Sequence, residues 1–202
     1  MTGTADRLLQ ATIDLLVEQG PAATTLRAIT DRAGANVAAV GYHFGSKDAL
    51  VTEAYAEILA QVTHTQLDRM AALPEDADLA AVVRVWVGPA FATDDRDVRE
   101  AALWRAVQHG MAEQAPALLA HRDTVAVVED QLHRRLQTLL PHLDEPELRF
   151  RHAATLAAIG SLRTDSLQHL WPHLEHETQL LELVVTWIAG GLRAPAAPTP
   201  QP

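Results

Sequence analysis

Along most of the chain, apolar positions recur at spacings of three and four, the period that gathers them on one side of an α-helix. Leu9, Ile13, Leu16 and Val17 keep this spacing while Asp6, Asp14 and Glu18 fall largely elsewhere, which predicts an amphipathic helix over 5–19. Gly20-Pro21 ends it. Thr25 is placed to cap a short helix over 26–33 that stops at Gly34, and a third short segment covers 37–44. Gly45-Ser46 breaks the pattern, and Ser46 can cap a longer helix from 47 to about 70. Beyond Pro74 the spacing predicts helices near 77–92 (disturbed at Gly88-Pro89), 96–109, 116–140, 146–170 and 174–190. Pro116, Pro146 and Pro172 sit at or just before helix starts, where a missing N–H costs little. No segment alternates apolar and polar residues as a strand would, so the expected fold is all-α with about nine helices.

The last two helices carry more apolar surface than one contact consumes. Leu180, Val184 and Trp187 form one stripe of the final helix, and Leu181, Val185 and Ile188 form a second beside it. The preceding helix offers Ala153, Ala154, Ala157, Ala158, Gly160 and Ser161, small residues that permit close helix approach. The pair reads as half of a four-helix bundle completed by a second copy of the chain. The expected dimer interface is Ala153, Ala157, Leu180, Leu181, Val184, Val185, Trp187 and Ile188. The bland alternative is that both helices are core of a monomer.

Composition narrows the chemistry. The 202 residues include no cysteine, which excludes disulfides, thiolate zinc ligands and thiol nucleophiles. The start has no basic segment followed by an apolar core, and no apolar run approaches the ~18–20 residues needed to cross a bilayer. A cytoplasmic protein without a membrane partner is expected. Residues 194–202 hold four prolines and no charge, and read as a disordered tail. The formal charge is −10, with 16 Lys+Arg against 26 Asp+Glu, which taken alone argues against binding nucleic acid.

The opening fifty residues answer that objection. Helices at 26–33 and 37–44, joined by Gly34-Ala35-Asn36, have the length and punctuation of a helix-turn-helix. Ile29 and Ala33 on the first, with Val40 and Phe44 on the second, can lock the pair against Leu8, Leu15 and Leu16. The other face of the second helix carries Ala38, Ala39, Gly41, Tyr42 and His43, small residues and then two polar rings, which suits a helix pressed into a DNA groove. The run from Ala23-Thr24-Thr25-Leu26-Arg27-Ala28-Ile29 through Ala33-Gly34-Ala35-Asn36-Val37 to Gly41-Tyr42-His43-Phe44-Gly45-Ser46-Lys47 resembles the DNA-binding domain of TetR-family transcriptional regulators, over residues 5–55.

The resemblance implies a three-helix DNA-binding domain over 1–47, with its motif at about 25–44, and a divergent helical effector-binding and dimerisation domain over 48–193. It further implies a ligand-responsive repressor that grips a pseudo-palindromic double-stranded operator as a homodimer and is released by a small-molecule effector. Thr25 would hold a phosphate at a helix N-terminus, and Arg27 would reach a phosphate or a groove edge. Asn36, Val37, Ala38 and Ala39 would lead the recognition helix, Gly41, Tyr42 and His43 would follow, and Lys47, the only lysine in the chain, would grip phosphate. Two positions depart from the family pattern: Gly41 lacks a side chain where one is usual, and Thr30 replaces a small alanine.

For the effector, Trp86, Phe91, Trp104, His109, Met111 and Leu118 are candidate pocket residues, although such residues are more often ordinary core. Ten histidines raise the question of a metal; the densest run is His169 to His176, but Pro172 interrupts it, and neither metal nor cofactor is expected. A dimeric helical interaction module and a small helical enzyme are the competing functions. The enzyme lacks a Ser-His-Asp set, a His-Glu-x-x-His pair, a phosphate loop or a GxGxxG, and none is expected. Split at residue 50, the charge resolves into −1 before and −9 after, and residues 24–47 hold a local +2. The acidity therefore belongs to the body, where it would turn the heads toward DNA.

Overall fold

The computed structural model describes residues 3–91, 93, 97–113, 115–162 and 176–197. Among them are ten α-helices and no strand: α1 (Thr4–Ala23), α2 (Leu26–Ala33), α3 (Val37–Phe44), α4 (Lys47–Ala71), α5 (Leu79–Val87), α6 (Asp97–Ala112), α7 (Pro116–Leu119), α8 (Arg122–Leu139), α9 (Glu145–Leu162) and α10 (Glu177–Arg193). None is long and apolar enough to cross a membrane. The helical reading holds, with one helix more than the nine expected. The predicted helix over 116–140 is two helices, because the chain turns at Ala120–His121. Tight bonds from His121 N–H to the Leu118 carbonyl and from Thr124 N–H to the His121 carbonyl bend it there, and the His121 ring meets the Thr52 carbonyl at 3.2 Å.

Packing divides the chain into two compact units, residues 1–64 with 102–126, and residues 65–101 with 127–202. These are units of contact and differ from the motif-based division at residue 47. In the first unit, α1 runs straight until Gly20, whose φ of 77° breaks the helix where Gly20-Pro21 was expected to end it. Its buried side chains are Leu8, Ala11, Thr12, Ile13, Leu15 and Leu16; Ile13 and Leu16 are buried as the spacing suggested, while Leu9 and Val17 are half-buried. Further along the unit, Tyr55 is fully buried against Gly110. A side chain on Gly110 would place its Cβ 2.8 Å from the Tyr55 hydroxyl and 2.9 Å from Leu118, so any larger residue there requires those side chains to shift. The hydroxyl has no hydrogen-bond partner among the described residues, and burial pushes its pKa up to about 12.

The second unit is built on α5 and α10. Asp78 caps α5 by accepting from Ala81 N–H at 2.8 Å, and Gly88-Pro89 ends it in a single 3₁₀ turn, Gly88–Ala90. Leu79, Val82, Val83 and Trp86 are buried on α5, and Leu181, Val184, Val185, Ile188, Ala189 and Leu192 on α10; the two helices pack together and share a two-pronged Arg84–Glu182 ion pair. Arg151 on α9 closes the far end of α10 by donating to the carbonyls of Gly191, Leu192, Ala194 and Pro195, a cation on the negative end of a helix. Glu147 holds that guanidinium at 2.6 Å and also accepts from Ala197 N–H. The first four residues of the expected disordered tail are thereby tied to α9, because their backbone groups complete the end of α10; residues 198–202 lie outside the described residues.

His133 and His152 are both buried, with Nε2 of the first 2.9 Å from Nδ1 of the second, and Trp86 meets His152 edge to face. Burial above all, then the charges of His133 and Arg149, pushes the His152 pKa down to about 4. The unfolded chain binds this proton near pH 6.5 and the folded chain refuses it until about 4. The contribution is complete above 6.5 and is lost progressively as pH falls through that window, by about 3 kcal/mol at 1.36 kcal/mol per pKa unit. Thermal unfolding followed between pH 7 and pH 4 should show a falling midpoint that flattens in His152→Gln; an equally steep fall in the variant would refute the assignment.

Candidate nucleic-acid interface

The site begins with a core of seven residues. Leu8, Ala11 and Leu15 from α1, Ile29 and Ala33 from α2, Val40 from α3 and Leu50 from α4 form one buried cluster, with Leu26, Ala39 and Phe44 packed at its edge. This cluster sets the angle between α2 and α3, as the apolar pattern anticipated. Gly34 makes the turn between them, with φ 59° and ψ 41°. Bonds from Gly34 N–H to the Asp31 carbonyl and from Ala35 N–H to the Thr30 carbonyl close the end of α2. Thr30, a departure from the family pattern, returns its hydroxyl to the Leu26 carbonyl at 3.1 Å, so the added polar group is satisfied inside the core.

The starts of α2 and α3 are each capped by a side chain. Thr25 accepts from Ala28 N–H at 3.2 Å and Asn36 accepts from Ala39 N–H at 2.9 Å. Thr25 is exposed, and because its oxygen accepts in this cap its hydroxyl proton is not used there. Asn36 stands at the leading end of α3, its carbonyl oxygen holding the first turn while its amide NH2 makes no part of that cap.

Beyond its cap, α3 buries Val40, half-buries Ala39 and Phe44 against the core, and presents the rest. Tyr42 is 85% exposed and Val37 55%; Ala38, Gly41 and His43 are exposed as well, with the Tyr42 and His43 rings edge to face. A half-apolar face with two polar rings on an eight-residue helix has no reason to face water unless something covers it. A concave groove of about 470 Å³ runs beside it, lined by Thr4 and Arg7 of α1, the turn at Gly34–Asn36, and Ala38, Ala39, Tyr42 and His43. Thr4 and Arg7 were missed in the sequence, where nothing in the spacing indicates that the first turn of α1 reaches α3.

The cations are arranged differently from expectation. Lys47 is half-buried and donates to the Thr24 carbonyl at 3.1 Å, across the corner between α1 and α2. Arg32 pairs with Glu18 at 2.6 Å and Arg27 with Asp31 at 3.6 Å. The hydrogen bond between Arg32 and Glu18 holds that carboxyl below the usual carboxylate range. The local +2 counted over 24–47 is therefore smaller in three dimensions, because Glu18 of α1 lies outside that window.

The remaining expected sites are dispersed. Trp86 and Phe91 are buried in the second unit, Trp104 and Leu118 in the first. His109 and Met111 are exposed, which corrects their placement in an enclosed pocket: they lie on the side of α6 turned away from its core. On α10, Leu181, Val184, Val185 and Ile188 are covered within the chain itself, so their assignment to a dimer interface gives way to a core role. Ala153, Ala157 and Trp187 are exposed and Leu180 half-buried, joined by Phe150 (71% exposed) and Leu183 (50%), which the sequence reading omitted. His169 and His173 lie outside the described residues, among which no group of three or more metal-binding side chains gathers.

Residues 8–54 match the family described as bacterial regulatory proteins, tetR family. Over 47 residues the chain is 51% identical to an HTH-type transcriptional repressor, Rv3405c, of Mycobacterium tuberculosis, covering 23% of this chain and 25% of that one. Over 71 residues it is 34% identical to the HTH-type transcriptional regulator BetI of Vibrio atlanticus, covering 35% and 36%. The chain thus spans about a third or less of the length of these curated relatives. Across 94% of its length it shares the fold of a transcriptional regulator from Rhodococcus sp. Rha1, with a TM-score of 0.66 and 24% identity over 96% of that chain. A TetR family regulator from Marinobacter aquaeolei has the same fold, with a TM-score of 0.61, 18% identity and coverage of 93% and 94%.

A Cβ added at Gly41 meets nothing within 4 Å. Gly41→Ala should therefore raise the stability of the chain by about 0.5–1 kcal/mol, as expected for relieving a glycine inside a helix. An unchanged or lower urea midpoint would show that α3 does not keep its helical form in solution.

Proposed function

We propose that this chain, whose first domain is that of the TetR family, is a cytoplasmic transcriptional repressor. It binds double-stranded operator DNA as a homodimer and is released by a small-molecule effector. One observation carries the reading: α3 turns Val40 inward and lays Ala39 and Phe44 against the core edge, while Val37, Ala38, Gly41, Tyr42 and His43 stay exposed. Val37, Ala38 and Ala39 lie low enough for the backbone to approach base edges and thymine methyls, and Tyr42 and His43 offer hydrogen bonds to bases or phosphate. Thr25 offers its hydroxyl at the start of α2, and Arg27 a guanidinium two residues on. Lys47 keeps two of its three N–H donors for a phosphate while the third braces the corner at Thr24.

The second half of the reading is the dimer. Phe150, Ala153 and Ala157 on α9, with Leu183 and Trp187 on α10, form an apolar face that the chain leaves uncovered. Two such faces together make the four-helix arrangement that the spacing anticipated. Dimerisation would set two α3 helices about 34–36 Å apart for successive major grooves of a pseudo-palindrome. An effector that favours a conformation with a different spacing would release the DNA through its differential affinity.

Duplexes selected from a random library by the purified chain should share a two-fold motif. Tyr42→Ala should lower affinity for them by about tenfold or more at fixed salt, as loss of one good contact implies, while the dimer persists. Trp187→Glu should give a monomer by sedimentation and weaken operator binding with it. Selection of no duplex, or a Tyr42→Ala chain that binds as tightly as the original, would refute the reading.

A further inference from the structure

We infer that Asn36 and Val37 together read one thymine in each half of the operator, the Asn36 amide donating to O4 and the Val37 isopropyl group covering the C5-methyl. This inference rests on the DNA-binding reading above and names the base that its recognition face selects. On the major-groove edge of a base pair, thymine alone presents an acceptor beside a methyl group. The chain offers the complement in two consecutive exposed residues at the start of α3, a donor and then an apolar side chain.

The composition of α3 removes the commoner ways of reading a base. Val37–Phe44 holds no Arg, Lys, Gln, Asp or Glu, so the helix itself lacks the forked donors that select guanine and the carboxylate that accepts from cytosine. Its two polar rings, Tyr42 and His43, come in the last turn, whereas the first residues of a recognition helix reach base edges. Asn36 stands at that leading end. Asparagine selects adenine by accepting and donating at once. Here Oδ1 is turned back to accept from Ala39 N–H at 2.9 Å, so the Nδ2 donor defines what the residue recognises, and a lone donor suits an acceptor such as O4. Val37 follows, 55% exposed at the first position of α3. Gly41 lies one turn behind it on the same row, and side chains on a helix lean toward its N-terminus, so the missing side chain leaves Val37 uncovered. Nothing within the chain requires this glycine: a Cβ there meets no atom within 4 Å, and its φ is not positive. A base edge brought against Val37 from outside gives its smallness a reason.

The test uses the full chain and a duplex selected by it, with each thymine of the half-site replaced in turn by uracil, which removes only the methyl group. At one position the loss should be about fourfold for one half-site and about fifteenfold for both, the factor that one buried methyl carries. Val37→Ala should bind the thymine and uracil duplexes equally. Replacing the same thymine by 5-methylcytosine, paired with guanine, keeps the methyl but puts a donor where O4 was. That change should cost about tenfold or more, as a wrong base pair does. Asn36→Ser keeps a capping side chain and withdraws the amide, and should shrink the second penalty while leaving the first. The base changes leave the protein untouched, so no folding defect imitates them; thermal unfolding of both variants accompanies the titration. Uracil tolerated at every position, or a uracil penalty that persists in Val37→Ala, would overturn the inference. So would a selected half-site without a fixed thymine, or one that takes 5-methylcytosine as readily. If the chain selects no duplex, the DNA-binding reading falls and this one with it; if it selects one and tolerates uracil throughout, only this inference falls.

Discussion

An eight-residue helix does not hold its shape alone in water, since the few hydrogen bonds it closes do not repay the cost of nucleation. The face proposed for DNA lies on such a helix, and everything that α3 presents depends on how it is held from behind. Val40 is its one buried side chain, set among Leu8, Ile29, Ala33 and Leu50, while Asn36 caps its start and Gly34 delivers it at a defined angle. This division of labour leaves nearly all the outward surface of α3 without a structural duty. It also makes α1 part of the binding apparatus, because Leu8 and Leu15 form the floor on which the corner rests.

The same economy governs charge. A chain of −10 that binds a polyanion must keep its acids away from the contact surface and its few cations in fixed positions. Arg27 and Arg32 are balanced by exposed carboxylates, pairings worth little in free energy that nonetheless lower the local field. Lys47 divides its donors between a backbone carbonyl and whatever approaches from outside. In the proposed complex such a head would make few phosphate contacts, so its affinity would depend modestly on salt and its specificity would lean on shape and apolar contact at α3.

In the second unit, the arrangement of α10 separates two roles that one apolar pattern had merged. Its inner stripe, Leu181, Val184, Val185 and Ile188, is covered within the chain, with α5 packed against the helix. Its outer side, Leu183 and Trp187, stays open beside Phe150. Arg151 fixes the geometry between these layers by gathering the last carbonyls of α10. The buried His133–His152 pair beneath Trp86 is the unit's polar liability, tolerated while the His152 imidazole is neutral.

Helix identity, the boundaries of α2, α3 and the start of α4, and the residues locking the helix-turn-helix were all legible in the amino-acid order. They arise from local rules: a 3.6-residue period, side chains that cap, and glycines that admit positive φ. The outward residues Val37, Ala38, Tyr42 and His43 could be read the same way, as those left over once the inward positions were assigned. Partnerships between distant segments could not be read. Glu18 against Arg32, Lys47 on Thr24, Arg151 on the end of α10, and Thr4 and Arg7 beside α3 join residues separated by 14 to 44 positions or brought together only by packing. Which of two adjacent stripes on α10 faces inward was likewise undecided, since both are apolar and only the position of α5 distinguishes them. Periodicity determines which residues share a face of a helix; what that face meets is decided by the other helices, whose approach no local pattern encodes.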